Sequence, residues 1–308
     1  MHPQILVIRT GAIGDTIVMS VVYQALRRHF PHASIEALGA MERLRLIHVP
    51  GYIDKITSIE AAGFAALFVA DAPFPERLRA YLQRFDMILC YTFDPDHIVT
   101  NNLCKISAGH VYRFDPFPPQ DANRHITAYL LDTLAVLGIA AQPLLPEIAL
   151  PESAAPFPYS QELRVAMHPG SGSAEKNWAA ANFAALAARL VNRYQAKIVL
   201  LAGPAETENV QFIAHQLSPQ ALMLLRNLPL PAVAAELCAC HLYIGNDSGL
   251  SHLAAAVGLP TIALFGPSNP QVWRPIGKQV VVLQGDARPY CVGISVEQVF
   301  AAVAQFLG

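Results

Sequence analysis

The sequence predicts an α/β protein with two doubly wound domains, each a parallel sheet with helices on both faces. Short apolar runs alternate with amphipathic stretches along the chain, and this alternation is typical of parallel sheets covered by helices. A proline-rich stretch over residues 142–159 interrupts the pattern, which then restarts. Because proline stiffens linkers and breaks regular structure, we place the domains at residues 1–150 and 151–308.

The amino-acid composition excludes several classes of protein. The 308 residues are 53% hydrophobic and 14% charged, which favours large cores over disorder. A net charge of -2 offers no broad basic surface, so no nucleic-acid partner is expected. The five cysteines are an odd number without a C-x-x-C pair, and no signal peptide precedes the first apolar run. These features predict a protein of a reducing compartment, the cytoplasm.

In the first domain, the apolar run Ile5–Ile8 predicts a buried strand, and helical apolar spacing predicts a helix that ends near Phe30. The clearest later helix is predicted over Arg124–Leu137. Further strands are predicted at Ser34–Leu38, Lys55–Ile59, Met87–Tyr91 and Val111–Phe114.

The second domain repeats the alternation, and its last helix is one that can pack back on the first domain. The predicted strands are Arg164–Met167, Lys197–Ala202, Leu222–Leu225, Leu242–Ile244, Thr261–Phe265 and Val280–Leu283. The predicted helices are Ala180–Tyr194, Glu206–Leu217, Pro231–Ala239, Leu250–Val257 and Val296–Leu307.

The segment Tyr243–Pro267 is the most informative part of the chain. It reads as a buried strand, a polar turn, a short helix of small residues and a second buried strand. Ligands of α/β proteins bind at the carboxyl ends of strands, and helix N-termini attract anions. A ligand with both phosphate and hydroxyl groups, such as a nucleotide sugar, fits this turn, although its aspartate can equally be a helix N-cap. The candidate residues are Asp247, Ser248, Gly249 and His252.

A second candidate site is the turn of small residues after the first strand of the second domain. Backbone amides in such turns bind phosphate, and a lysine adds a point charge. A flexible loop without a ligand is the alternative. The candidate residues are His168, Gly170, Ser171, Gly172, Ser173 and Lys176.

Three further features have both a structural and a functional interpretation. Glu208 follows a strand and can bind ribose hydroxyls or simply favour a helix N-terminus. Asp15 ends a loop that lacks both the G-x-G-x-x-G and P-loop patterns, and it is either an N-cap or a general base. Asp94-Pro-Asp96 has the form of a metal-binding D-x-D, but Asx-Pro turn chemistry accounts for it, so no metal is expected.

Four segments, in this order, resemble the glycosyltransferase family 9 heptosyltransferases of lipopolysaccharide assembly. The resemblance implies the GT-B architecture, in which two Rossmann-like domains face a central cleft and bind the acceptor and the nucleotide sugar respectively. It also implies inverting, metal-independent transfer, usually from ADP-L-glycero-D-manno-heptose. The segments are Ile5–Asp15, His168–Trp178, Gly203–Glu208, and Asp247–Leu253 with the Gly-x-Pro and Phe-Gly-Pro that follow it.

The same resemblance assigns roles. Asp15 matches the proposed base, Lys176 the lysine near the donor phosphates, Glu208 the acid near the ribose, and the 247–252 turn the donor site. Such chemistry needs a base for the acceptor hydroxyl and positive charge or amides for the departing diphosphate. The residues expected on the acceptor side are Gly14, Asp15, Arg43, Arg113, Arg124 and His125.

The expected partners are an ADP-sugar, which is a co-substrate rather than a cofactor, and a saccharide or glycolipid acceptor. Peripheral contact with the cytoplasmic face of the inner membrane fits the apolar composition. Two departures from the family pattern stand out. The first loop reads Thr10-Gly-Ala-Ile-Gly-Asp15 where Ser-Ser-Leu-Gly-Asp is common, and the arginines of the first domain are scattered, whereas a Kdo-rich lipid A acceptor is strongly anionic.

Two other functions share this architecture. A non-hydrolysing nucleotide-sugar epimerase would need more acid and base groups in the cleft than the one clear candidate, Asp15. A non-catalytic nucleotide-sugar-binding protein would not need to keep Asp15, Lys176 and Asp247 together.

Overall fold

The structure, a computed structural model, describes residues 2–61, 63–119, 121–150, 162–203, 207–286 and 291–308. The chain divides into two compact units, Met1–Ala149 and Leu150–Gly308. Of the stretch predicted as a linker, residues 142–150 have no regular secondary structure and residues 151–159 lie outside the described residues. In the described part, no helix combines the length and the apolar composition needed to cross a membrane.

The first unit contains five parallel strands: β1 (Gln4–Arg9), β2 (Ser34–Gly39), β3 (Lys55–Ser58), β4 (Met87–Tyr91) and β5 (His110–Arg113). Their order in the sheet is β3-β2-β1-β4-β5. In the central strand, Val7 is opposite Ala37 of β2 and Leu89 of β4. The order reverses between β1 and β4, and this position at the carboxyl ends is where open α/β sheets bind ligands.

The structure confirms the two helices predicted in the first unit but corrects the bounds of both. The helix predicted to run to Phe30 is two segments that meet at Met19, where the chain tightens and Val22 N donates to Met19 O at 2.9 Å. The helices are α1 (Ile13–Val18), α2 (Ser20–His29), α3 (Met41–Ile47), α4 (Glu76–Leu82), α5 (Ile98–Ile106) and α6 (Ile126–Thr133). The helix predicted over 124–137 is α6 followed by a 3₁₀ turn, Leu134–Leu137.

The second unit contains six parallel strands: β6 (Arg164–His168), β7 (Lys197–Ala202), β8 (Leu222–Arg226), β9 (Leu242–Asn246), β10 (Thr261–Phe265) and β11 (Val280–Gln284). Their order is β11-β10-β9-β6-β7-β8, which is the strand order of a Rossmann dinucleotide-binding sheet. β9 and β10 are buried along their whole length, as expected where helices cover both faces of a parallel sheet.

The helices of the second unit lie close to the predicted positions. They are α7 (Ala180–Tyr194), α8 (Thr207–His215), α9 (Leu230–Cys238), α10 (Gly249–Ala256), α11 (Pro270–Trp273) and α12 (Val296–Leu307). The last helix, α12, packs against α7 and β10. Its apolar side chains Val299, Ala302 and Val303 belong to the buried core of the second unit.

Candidate functional site

The order of strands in the second sheet reverses between β6 and β9. These strands are neighbours, with His168 at the end of β6 opposite Gly245 of β9. The loops that follow them therefore leave the same edge of the sheet at adjacent positions. These loops are the two candidate sites predicted from the sequence, the turn over 168–176 and the turn over 247–252.

Asn246, the last residue of β9, holds the first of these turns at both ends. Its side chain is fully buried. Its Oδ1 accepts a hydrogen bond from Trp178 N at 2.9 Å, and its Nδ2 donates to Pro169 O at 2.9 Å and Gly170 O at 3.3 Å. A buried amide with all these partners fixes the main chain at both ends of the turn. The sequence analysis did not single out Asn246.

Lys176 and Asp247, 71 residues apart, form an ion pair. The Lys176 Nζ lies 2.8 Å from Asp247 Oδ2. The aspartate side chain is 8% exposed and the lysine side chain 37% exposed. Because an ammonium group carries three donors, the pair leaves Lys176 able to contact a second anion.

Asp247 is not the N-cap residue of α10. Ser248, in extended backbone conformation, is the N-cap residue of α10, and its hydroxyl makes no capping bond. The Asp247 carboxylate pairs with Lys176 instead of capping the helix. Ser251 N, in the first turn of α10, donates to Ser248 O at 3.1 Å, whereas the first two amides of the helix, beginning at Gly249, have no carbonyl within the helix to bind. They are therefore suited to an anion.

The remaining residues of the 168–176 turn have distinct environments. Ser171 Oγ donates to Ser173 O at 2.6 Å and accepts from Ser173 N at 3.2 Å, which closes a local turn. Gly170 is buried and Gly172 is exposed. His168 is buried at the end of β6, and burial lowers its pKa to about 4. The imidazole is therefore neutral near pH 7, and Lys176 supplies the positive charge of this turn.

Cys291, which the sequence analysis did not assign to the site, lies against the main chain of Lys176. Its Sγ donates to Lys176 O at 3.2 Å. Burial raises the pKa of the thiol to about 11, and the charge of Asp247 adds to the effect. Cys291 therefore remains a neutral thiol that supports the 3₁₀ turn Ala174–Lys176.

Two other predicted donor residues lie on helices. Glu208 is exposed in the first turn of α8, after β7, the neighbour of β6. Its position is compatible with both the ribose and the helix-dipole interpretations, while Glu206 lies outside the described residues. His252 is buried in α10.

In the first unit, Asp15 is the third residue of α1. Its Oδ2 accepts from Ala12 N at 2.8 Å, and its Oδ1 lies 3.3 Å from Arg9 Nη2. A Cβ at position 11 would lie 2.8 Å from Asp15 Oδ2, so only glycine fits there. The carboxylate thus closes the helix start. With about four lone-pair sites, it retains the capacity to accept a proton or a further hydrogen bond.

Arg9 is a further residue that the sequence analysis did not assign to the site. It ends β1 and is almost completely buried, next to the position where the strand order of the first sheet reverses. Its Nη1 donates to Pro116 O at 3.0 Å and Tyr91 O at 3.4 Å. Burial lowers the pKa of Arg9 and the Asp15 charge opposes this shift. Since a guanidinium stays protonated in proteins, Asp15 faces a buried positive charge.

The other residues predicted on the acceptor side also have partners within the first unit. Arg43 donates to Gly11 O, which joins α3 to the Asp15 loop. Arg113 Nη2 lies 3.0 Å from Asp115 Oδ1. Arg124 forms two hydrogen bonds of 2.8 Å with Asp132. His125 caps α6, where its side chain accepts from Thr127 N, and Gly14 lies partly exposed in α1.

Asp94, the first residue of the D-x-D triplet, stabilises the start of α5. Its carboxylate accepts from Val99 N at 3.1 Å, Thr100 N at 2.9 Å and Thr100 Oγ1 at 2.7 Å, at the start of α5. Among the described residues, no group of three His, Cys, Asp or Glu side chains is arranged to hold a metal ion.

Comparison with protein families gives one decisive match. The model described as "Glycosyltransferase family 9 (heptosyltransferase)" matches residues 128–293, more than half of the chain. The chain belongs to glycosyltransferase family 9. The resemblance found in the four sequence segments is thereby confirmed.

Curated relatives of this family 9 chain match over part of their length. Lipopolysaccharide heptosyltransferase 2 of Salmonella typhimurium is 33% identical over 114 residues, 35% of this chain and 32% of the relative. Lipopolysaccharide heptosyltransferase 1 of Pseudomonas aeruginosa is 34% identical over 111 residues, 36% and 31% respectively. The chain thus spans about a third of the length of these relatives in the alignments.

Solved structures match over the whole fold. A family 9 glycosyl transferase from Veillonella parvula has a TM-score of 0.81 at 20% identity, covering 99% of this chain and 97% of that one. The E. coli ADP-heptose lps heptosyltransferase II has a TM-score of 0.78 at 20% identity, covering 99% and 98%. The predicted fold, two Rossmann-like parallel-sheet domains of the GT-B class, is therefore confirmed.

Proposed function

We propose that this family 9 chain is an inverting, metal-independent glycosyltransferase that moves a heptose from an ADP-sugar to a saccharide acceptor. The observation that supports it best is the Lys176–Asp247 pair, at the carboxyl ends of β6 and β9 where the second sheet reverses its order. Relatives named as heptosyltransferases, one of them solved with ADP, point to this donor.

The donor half of the proposal assigns the diphosphate to the second unit. Lys176 and the first-turn amides of α10 supply donors for the phosphate oxygens. Asp247 directs the Lys176 ammonium group, because their 2.8 Å contact fixes its position before the donor arrives. Glu208 lies in the first turn of α8, which follows β7. The resemblance of its segment to the family assigns it to the ribose hydroxyls.

The proposed chemical step assigns the base to the first unit and the stabilisation of the leaving group to the second. Asp15 removes the proton of an acceptor hydroxyl as its oxygen attacks the anomeric carbon of the donor. The bond between that carbon and the diphosphate oxygen breaks, and ADP leaves. Its developing negative charge is stabilised by Lys176 and the α10 amides, without a metal. A single displacement of this kind inverts the anomeric configuration.

The test is a transfer assay with ADP-heptose and a panel of saccharides, with and without EDTA. We expect release of ADP that is insensitive to EDTA, and a product whose anomeric configuration, measured by NMR, is opposite to that of the donor. Conversion of the donor sugar without ADP release would identify an epimerase instead. A failure of ADP-heptose to bind or to raise the melting temperature would overturn the donor assignment.

Lys176→Ala is the sharpest single variant for the donor site. We expect weaker ADP-sugar binding and slower turnover, because a hydrogen bond from a charged group contributes about 1.5–3 kcal/mol. This is a loss of roughly 10- to 150-fold. Calorimetry and initial rates measure it, and the exposed Lys278→Ala serves as the matched control. Wild-type affinity in Lys176→Ala would remove this lysine from the site.

A further inference from the structure

Arg9 and the arginines predicted on the acceptor side are engaged by acceptors of the first unit itself. Arg9 lies between the carboxylate of Asp15 and two main-chain oxygens. Arg43 binds Gly11 O, and Arg124 uses two parallel N–H groups on Asp132. Two parallel bonds of this kind are the arrangement by which arginine recognises phosphate or carboxylate. An anionic acceptor would therefore have to displace these partners.

Exposed carboxylates in the loops after neighbouring strands further disfavour an anionic acceptor. Asp96 follows β4 and Glu42 begins α3 after β2, and both are exposed, whereas Asp115, after β5, is paired with Arg113 at 3.0 Å. The carboxyl ends of β2 and β4 lie on either side of that of β1, which leads to Asp15. Negative charges in these loops repel phosphate and carboxylate groups.

Two exposed aromatic rings occupy the same edge of the sheet. Phe93, in the loop after β4, is 71% exposed, and Phe117, in the loop after β5, is 40% exposed. The Arg9 guanidinium carbon lies 5.3 Å from the centre of the Phe117 ring, and Nη2 of the same guanidinium lies 3.3 Å from Asp15 Oδ1. The Arg9 side chain therefore contacts both Phe117 and the proposed base, Asp15.

The face of an aromatic ring carries partial negative charge. It attracts the C–H groups on the apolar face of a sugar ring and disfavours an anion. We propose that the acceptor is an uncharged saccharide, and that Phe117 and Phe93 receive its sugar rings next to the hydroxyl that Asp15 deprotonates. This proposal rests on the proposed function, because it names the substrate class of that same reaction.

The experiment compares two sets of acceptors with ADP-heptose as donor. One set is neutral methyl glycosides and disaccharides ending in glucose, galactose, mannose or heptose. The other is a Kdo-containing, phosphorylated core oligosaccharide from de-acylated lipopolysaccharide. We expect a neutral acceptor to have the higher kcat/KM, and Phe117→Ala to raise its KM about tenfold while the donor KM stays unchanged. Phe117→Trp should restore the wild-type KM.

Phe68→Ala is the matched control, because Phe68 has the same exposed fraction as Phe117 and lies in the same unit; its acceptor KM should equal the wild-type value. A higher kcat/KM for the charged core oligosaccharide overturns the inference and leaves the proposed function standing. So does an unchanged acceptor KM in Phe117→Ala. If calorimetry detects no binding of ADP-heptose and neither acceptor is glycosylated, the proposed function fails and the inference fails with it.

Discussion

Asp15 is linked to Arg9 closely enough that the two residues have to be considered together. Its carboxylate accepts from Ala12 N with one oxygen and faces the buried guanidinium with the other. An asparagine can replace the first contact, since Asn and Asp are similar caps. It cannot replace the second contact, because its amide would turn an N–H group or an uncharged oxygen toward Arg9. The variant therefore tests both the base and the ion pair.

Asp15→Asn is expected to lower the transfer rate by about 10²–10⁴-fold, the usual contribution of a general base. Donor affinity measured by calorimetry should stay near wild type. The free energy of unfolding should fall by about 1–3 kcal/mol, because Arg9 loses a charged partner. Arg9→Gln removes the same ion pair and keeps the carboxylate, so it should lose similar stability but far less activity. Wild-type turnover in Asp15→Asn would show that another residue is the base.

His168 is expected to make stability fall in mild acid. Its pKa is lowered to about 4 in the folded protein by burial, compared with about 6.5 in an unfolded chain. As the pH falls from about 6.5 to about 4, the unfolded state gains the proton first, and the folded state loses relative stability. At pH 5 this loss is about 2 kcal/mol relative to pH 7.5.

Urea unfolding of the wild type and of His168→Asn at both pH values measures the difference. Other groups, chiefly carboxylates, titrate in both proteins and cancel in the comparison. The variant should therefore lose about 2 kcal/mol less than the wild type between pH 7.5 and 5. Equal losses in the two proteins would show that His168 does not stay neutral in the fold.

At the scale of elements, the proposed donor site depends on the end of β9. Asn246 ties the main chain at Pro169, Gly170 and Trp178 to this strand. Trp178 is in turn anchored by its Nε1, which donates to Ile294 O at 2.9 Å, and by edge-to-face packing on Phe183. The turn that carries Lys176 is thus held by a strand and by the protein core.

Asn246→Ala should lower both stability and donor affinity. It leaves the buried Trp178 N without its acceptor and two carbonyls without a donor, at a cost of about 1–3 kcal/mol for each buried group left unpaired. Chemical denaturation and ADP calorimetry measure the two effects. The exposed Asn192→Ala on α7 is the matched control. A variant with normal stability and normal ADP affinity would contradict the role given to Asn246.

The sequence predicted these elements well and the contacts between them poorly. Strands such as β9 and β10 were found because a strand covered on both faces is a short continuous apolar run. Asn246 and Arg9 were missed because each ends such a run and has partners about 70 to 107 residues away. The break at Met19 was missed because apolar spacing continues through it.

At the scale of the whole molecule, the two units are based on related sheets, and each places its polar residues where its own strand order reverses. Arg9 and Asp15 mark that position in the first unit, and Lys176 and Asp247 in the second. The roles of base and donor binding are therefore assigned to different units. It follows that ADP alone should affect one unit locally.

Hydrogen exchange of the intact protein with saturating ADP tests this assignment. We expect slower exchange in peptides covering residues 164–178 and 242–256, because a bound ligand stabilises the structure it contacts. Peptides covering α1 and the loop before it should exchange at the rate of the free protein. Protection of the Asp15 loop without protection of the 164–178 turn would place the nucleotide in the first unit.

The bonds from Asn246 also bear on how the protein is made. The turn after β6 leaves the ribosome roughly 70 residues before the amide that secures it. Until β9 inserts beside β6, the nascent chain carries Lys176 on a segment that lacks both its anchor and its acidic partner. With the donor site assigned as proposed, a nucleotide would assist folding only after residue 247 has emerged, and it would not rescue a chain that stops earlier in translation.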